Sequence, residues 1–167
     1  FQTQAMLGVT TPIAKNWQLG GDIRLTNVGE IKPVAVILPN GSPSTGNLWG
    51  TGVQLIGSNL YSSRDTHVLS ASYMKGPTYN GRLLSYNNLS TLTDKWQLEP
   101  SLKYYRQNDS SGASNERWTP GLRVTYRVLQ QLTLETELTY EMAKLHAPTR
   151  SESSNRTFYY LGVRYDF

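Results

Sequence analysis

Cysteine is absent from the 167 residues, so neither disulfides nor thiolate chemistry holds this fold or acts in it. Histidine is nearly absent, with His67 and His146 the only two. Two distant histidines without a cysteine cannot make a zinc site unless carboxylates gather around them, and no metal or other cofactor is expected. Long apolar runs are missing too. No stretch approaches the roughly 18 consecutive apolar residues that a membrane-spanning helix needs. Hydrophobic residues are 38% of the chain and the mean hydropathy is −0.46, too low for a helical membrane protein. A transmembrane β-barrel escapes that exclusion, because only alternate residues of its strands face lipid. Clustered positive charge is the last shortage. The net charge of +4 could suggest nucleic acid, but Lys and Arg are scattered with acidic residues nearby, and no basic stripe forms. No nucleic-acid partner is expected. The sequence begins on Phe1 without a charged-then-apolar leader, which reads as a processed product or a fragment.

What the chain has is Tyr, Trp, Gly and alternation. The last eleven residues, Thr157 to Phe167, place Tyr159, Leu161, Val163, Tyr165 and Phe167 on one face of an extended strand, and Tyr160, Gly162, Arg164 and Asp166 on the other, because strand side chains alternate with period two. The apolar face is aromatic at both ends and aliphatic between, the pattern of a strand crossing a bilayer with a girdle at each interface. Eight further segments alternate in the same manner, the fifth least clearly: Phe1–Thr11, Trp17–Thr26, Trp49–Tyr61, His67–Met74, Arg82–Leu92, Trp96–Tyr105, Trp118–Val128 and Leu132–Met142. A long connection from about Val28 to Asn47 carries three Pro and three Gly and reads as a loop. Its Val34–Leu38 run could extend a strand, enter the barrel or dock a partner, the first being the simplest. Pro100 and Pro120 each remove a ladder donor, so a bulge or a missing bond is expected at each.

At the ending Gly162-Val163-Arg164-Tyr165-Asp166-Phe167 the sequence resembles bacterial outer-membrane β-barrel proteins, whose last strand typically ends in Phe after apolar residues at alternate positions. The resemblance implies an all-β, antiparallel transmembrane barrel in the outer membrane of a Gram-negative bacterium. Lipid and the barrel-assembly machinery would be its partners, the latter recognising Tyr159, Leu161, Val163, Tyr165 and Phe167. The style of strands and turns is also similar to the barrels that follow tetratricopeptide repeats in exopolysaccharide or surface-structure export proteins. Short connections, the first around Pro12–Asn16, are expected after strands one, three, five and seven, and longer or more polar ones after two, four, six and eight, among them polar loops over Asn108–Asn115 and Ala147–Arg156. Outer-membrane barrels set short turns in the periplasm and longer loops outside, and have even strand counts in bacterial single chains. Nine strands with the first running inward therefore imply that residues 1–167 form one region, the C-terminal part of a larger even-stranded barrel. The remaining strands would come from an absent N-terminal portion, with other subunits as an alternative source.

The second face carries the charge. Glu99 and Lys103 lie on the sixth strand, Arg117, Arg123 and Arg127 on the seventh, Glu135, Glu137 and Glu141 on the eighth, and Arg164 and Asp166 at the end. Pairing the seventh and eighth strands around Gln130 sets Arg123 opposite Glu137 and Thr125 opposite Glu135. Opposite charges on facing strands stabilise a sheet by roughly 0.2–1 kcal/mol per pair. An Arg facing lipid near the midplane costs roughly 2–4 kcal/mol. With Arg123, Glu137 and Arg164 taken as mid-strand, the cost of exposing charge to lipid outweighs the rest and turns this face into the lumen. The ladder then either solvates and stiffens the wall or forms a selectivity surface; since both signs are present, neither anion nor cation preference follows. Trp17, Trp49, Trp96 and Trp118 stand at or near strand ends on the apolar face, where an interfacial belt is expected.

Three functions are open to such a chain. The first is a conduit for solute or polymer. The second is a structural or anchoring barrel with a filled lumen that binds partner proteins. The third is an outer-membrane lipid hydrolase or protease, for which His146 with Ser151, Glu152 and Ser153 would be the candidates. No motif supports catalysis: Glu135 and Glu137 share a face but are flanked by arginines, and the Gly pairs lie in strands rather than in phosphate loops.

Overall fold

The computed structural model describes residues 2–29 and 46–166. Nine strands follow one another: β1 Gln2–Ala14, β2 Trp17–Val28, β3 Gly46–Ser58, β4 Asp65–Lys75, β5 Tyr79–Thr91, β6 Trp96–Asp109, β7 Ser114–Arg127, β8 Leu132–Ala147 and β9 Arg150–Tyr165. Each pairs antiparallel with its sequence neighbour, in one sheet ordered β1 to β9. β1 and β9 are its edges. They run in the same direction, and no contact joins them among the described residues. The expectation of an all-β antiparallel fold holds.

Direct cross-strand partners project to the same face, so the register reads each face across the whole sheet. One row runs Leu19, Leu55, Leu69, Tyr86, Leu102, and another Leu122, Leu138, Tyr159. Apolar residues thus concentrate on one side, although Met6, Ile56, Val68, Phe158 and Tyr160 project to the other. No described hydrophobic side chain is buried; the buried polar ones are Asp65, Asn88, Ser90 and Thr133. Tyr159, Leu161 and Val163 are 76%, 65% and 67% exposed, with no second layer above them among the described residues. A water-soluble sheet of this size buries one face against a core. Here the greasy side is the outside.

The sheet curls away from that side. Thr66 and Val68 of β4 line the same hollow as Glu137 of β8, four strands away, which only a wall concave on the polar face allows. Facing in β5 is now resolved: Leu84 and Tyr86 share the apolar face with Tyr104 and Leu102, while Leu83 and Leu89 fall on the concave face. That mixture is why alternation reads poorly there.

The prolines act by omission. Between β5 and β6, pairing runs to Asn87↔Ser101 and resumes at Ser90↔Leu98. Between β7 and β8 it breaks between Trp118↔Met142 and Gly121↔Thr139. In each case the register is unchanged across the gap, so Pro100 and Pro120 delete ladder bonds without inserting a residue. The one register shift lies between Pro12 and Ala14, where β1 continues through residues that read as a turn.

Three expectations are corrected. Connection lengths do not alternate: β4–β5, β6–β7 and β8–β9 are closed by residues 76–78, 110–113 and 148–149, no longer than the connections at the opposite end. The segment 147–156, expected as a polar loop, is strand but for residues 148–149, and the polar loop expected over 108–115 narrows to 110–113, because β6 to β9 extend with both faces polar. Only the β2–β3 connection is long, and Val34–Leu38 within it lies outside the described residues. Tyr61, expected on β3, belongs to the turn 59–64 that follows that strand.

Candidate functional site

The concave face concentrates its charge on β6 to β9. Register sets Glu99 opposite Arg123, Arg123 opposite Glu137 and Thr125 opposite Glu135, the pairing expected from the turn near Gln130. The Arg123 guanidinium therefore has a carboxylate on each flank. Its Nε and Nη2 donate to Glu137 Oε2 at 3.2 and 2.8 Å. Nε also lies 3.2 Å from Glu135 Oε1, and Nη1 3.8 Å from Glu99 Oε2. Gly121 precedes this centre on β7, and a Cβ there would meet the Ser101 hydroxyl at 2.7 Å. The missing side chain keeps the wall thin beside the arginine.

Arg117 Nη1 is 3.6 Å from Glu141 Oε2, a second acid–base contact between β7 and β8 towards the extended end. Lys103 and Arg127 share the face, with Thr119 and Thr133 as cross-strand partners. Arg164 is also on it, opposite Thr133, but next to the last residue of β9 rather than at mid-strand. Its ion pair is local, with Asp166 at 3.4 Å, and Asp166 lies past the end of that strand. The midplane penalty that helps set the facing of Arg123 and Glu137 therefore does not bear on Arg164. Another pair, missed in the sequence, stands on β2: Arg24 Nε donates to Asp22 Oδ2 at 2.8 Å. Asp22 Oδ1 occupies the space a Cβ of Gly52 would take, at 2.5 Å. The signal was there in Gly52, which reads as a plain strand glycine until its partner is known.

The apolar face carries all four tryptophans. Trp96 packs on Tyr126 with ring centroids 4.4 Å apart, and Trp118 on Tyr104 at 4.5 Å. These two pairs bracket nine residues on β6, the length of strand, about 9–11 residues, that crosses hydrocarbon when tilted. Trp17 covers Gly57, where a Cβ would meet its ring at 2.9 Å. Trp49 sits opposite Lys75. Of the five C-terminal assembly positions, Tyr159, Leu161, Val163 and Tyr165 lie on this face in β9, and Phe167 lies outside the described residues.

A polar cluster that periodicity does not reveal interrupts this face at the start of β4. The Asp65 carboxylate, 1% exposed, accepts the backbone N–H groups of Leu60, Tyr61 and Ser62 at 2.7, 2.9 and 2.9 Å. Ser90 donates to Asn88 Oδ1 at 2.8 Å and meets the Tyr61 hydroxyl, while His67 Nδ1 contacts Tyr86 Oη at 2.8 Å. The cluster ties the turn 59–64 to β4 and β5.

The hydrolase candidates come together only in part. His146 and Ser151 are cross-strand partners, with Ser151 Oγ 3.0 Å from Nδ1. Glu152 projects to the other face, where it pairs with Arg150, and Ser153 lies one row away opposite Lys144. No carboxylate orients the imidazole among the described residues, so the third member that such a mechanism requires is missing.

No family model and no curated protein matches the chain. Among solved structures, the chain is similar to a KdgM porin in complex with disordered oligogalacturonate, at 16% identity over 99% of this chain and 95% of that one, with a TM-score of 0.38. It is likewise similar to a KdgM porin at 16% identity over 98% and 92%, with a TM-score of 0.37.

Proposed function

We propose that this chain is the wall of an outer-membrane β-barrel pore in a Gram-negative bacterium, with the apolar face against lipid and the concave face lining a conduit for solute. The observation that carries the reading is the inversion of the sheet: a continuous band of exposed hydrophobic residues covers the middle of one side with nothing packed on it among the described residues, and the ion pairs around Arg123 gather in the hollow of the other. Only hydrocarbon makes that arrangement favourable, since an aromatic or aliphatic side chain gains roughly 1.5–3 kcal/mol on leaving water.

Arg123 and the three carboxylates around it form the charge centre of the conduit's lining. The acid–base contacts leave the surface close to neutral, which suits passage of polar solutes with weak ionic preference. Conductance of the full-length protein in planar bilayers tests the reading; a folded, inserted and electrically silent barrel overturns it in favour of an anchoring barrel with a filled lumen. The finer likeness to barrels of tetratricopeptide-repeat export proteins gains no support from the geometry, and a polymer substrate is not assigned.

A further inference from the structure

The outward face is apolar in its middle but not at its extended end. There one cross-strand row runs Tyr73, Arg82, Arg106, Glu116, Lys144, and Lys75 lies one row further out on β4 beside Trp49. Lys75, Arg82, Arg106 and Lys144 are all exposed. No carboxylate lies within 4 Å of any of them among the described residues. The one acid of the row, Glu116, accepts the Trp118 indole N–H at 3.1 Å.

Arg82 and Arg106 are direct partners. Like charges opposite each other on a sheet repel; Glu116 stands opposite Arg106 on its other flank but comes within 4 Å of neither guanidinium, and Arg82 lies over the Tyr73 ring, 5.9 Å from its centroid. The two arginines stand at the rim of an outward groove floored by Val53, Ala71, Leu84 and Tyr104. At the opposite end the outward strand positions carry Trp17, His67, Trp96 and Tyr126 and no Lys or Arg. The cations therefore mark one interface of the membrane and not the other.

We propose that Lys75, Arg82, Arg106 and Lys144 form a docking row for phosphate-bearing lipid headgroups in the leaflet at the extended end, with an acyl chain lying along the groove below. The inference rests on the apolar face being lipid-covered. Guanidinium forks carried on directly opposed strand positions can share the oxygens of one phosphate, which converts the repulsion between them into a shared contact. A free anion would use the arginines alone, whereas the apolar floor directly beneath them suits an amphiphile.

The test reconstitutes the full-length protein into phosphatidylcholine vesicles, with or without diphosphoryl lipid A, and compares it with a double variant, Arg82→Gln with Arg106→Gln. In phosphatidylcholine alone the variant unfolds at an equal or higher denaturant concentration than wild type, since a repulsion has been removed. With diphosphoryl lipid A, wild type gains stability and the variant does not, and the variant's affinity for that lipid falls about tenfold or more, on the scale of basic residues at an anionic membrane surface. The paired change Arg117→Gln with Arg127→Gln on the concave face leaves lipid affinity unchanged. Equal binding by wild type and the outward double variant overturns the proposal, as does full competition by inorganic phosphate. Insertion without lipid discrimination sinks this inference alone; failure of wild type to enter either vesicle sinks the lipid-facing reading with it.

Discussion

Arg123 shows how a single side chain sets the character of the concave face. It is half exposed to water, so each of its ion pairs contributes little stability, in the range of about 0–1 kcal/mol for a surface pair. Its effect on the local field is larger, because one cation stands among Glu99, Glu135 and Glu137. Replacing Arg123 with Ala leaves those three carboxylates without their shared cation. The expected outcome is a rise in cation over anion permeability, read as a shifted reversal potential under a salt gradient, with folding retained. Arg123→Lys restores the sign but not the fork, so selectivity returns while the contact with Glu137 becomes single. At Asp65 the balance is reversed. Its carboxylate is buried and holds three backbone N–H groups, so Asp65→Ala leaves the turn 59–64 without its anchor. Faster amide exchange at Leu60, Tyr61 and Ser62 in the folded protein, with conductance intact, is the expected result.

At the scale of strands, the prolines make a sharper prediction than any apolar residue. Pro100 and Pro120 interrupt pairing on one side only and leave the register intact. Replacing Pro100 with Val supplies an N–H to a ladder already held in register on both sides of the gap. A stabilisation of about 0.5–1.5 kcal/mol is expected, measured by urea titration in vesicles; a loss of stability would show that the ring packs against lipid better than the added bond compensates. The nine strands themselves were legible because period two persists wherever one face meets hydrocarbon and the other water. Beyond the apolar band both faces are wet and nothing alternates: the run 150–156 holds Arg, Ser, Glu and Asn with no apolar residue, reads as a loop, and is strand. The Arg123 centre was legible for the complementary reason, since a tight turn near Gln130 fixes which residues of β7 and β8 meet. The Asp65 cluster was not, because its three donors are backbone groups of a turn that no side-chain pattern announces, and neither was the outward cation row, which is assembled from four strands and exists only once their registers are known.

On the conduit reading, the whole sheet is a wall between two solvents. The assignment of solvents is tested most directly halfway between the two aromatic pairs, where Leu122 faces Leu138. An arginine at Leu138 would stand at the middle of the hydrocarbon and is expected to cost roughly 2–4 kcal/mol of folding stability. An arginine at the next residue, Thr139, opposite Gly121, enters the hollow beside Glu137 and Glu141 and is expected to change stability by less than about 0.5 kcal/mol, as surface substitutions do. The two variants place the same added charge one position apart, so a difference between them reports which way the side chain faces. If urea titration in vesicles finds the two penalties equal, hydrocarbon does not cover the side that Leu138 shares with Tyr159, and the conduit reading falls with it.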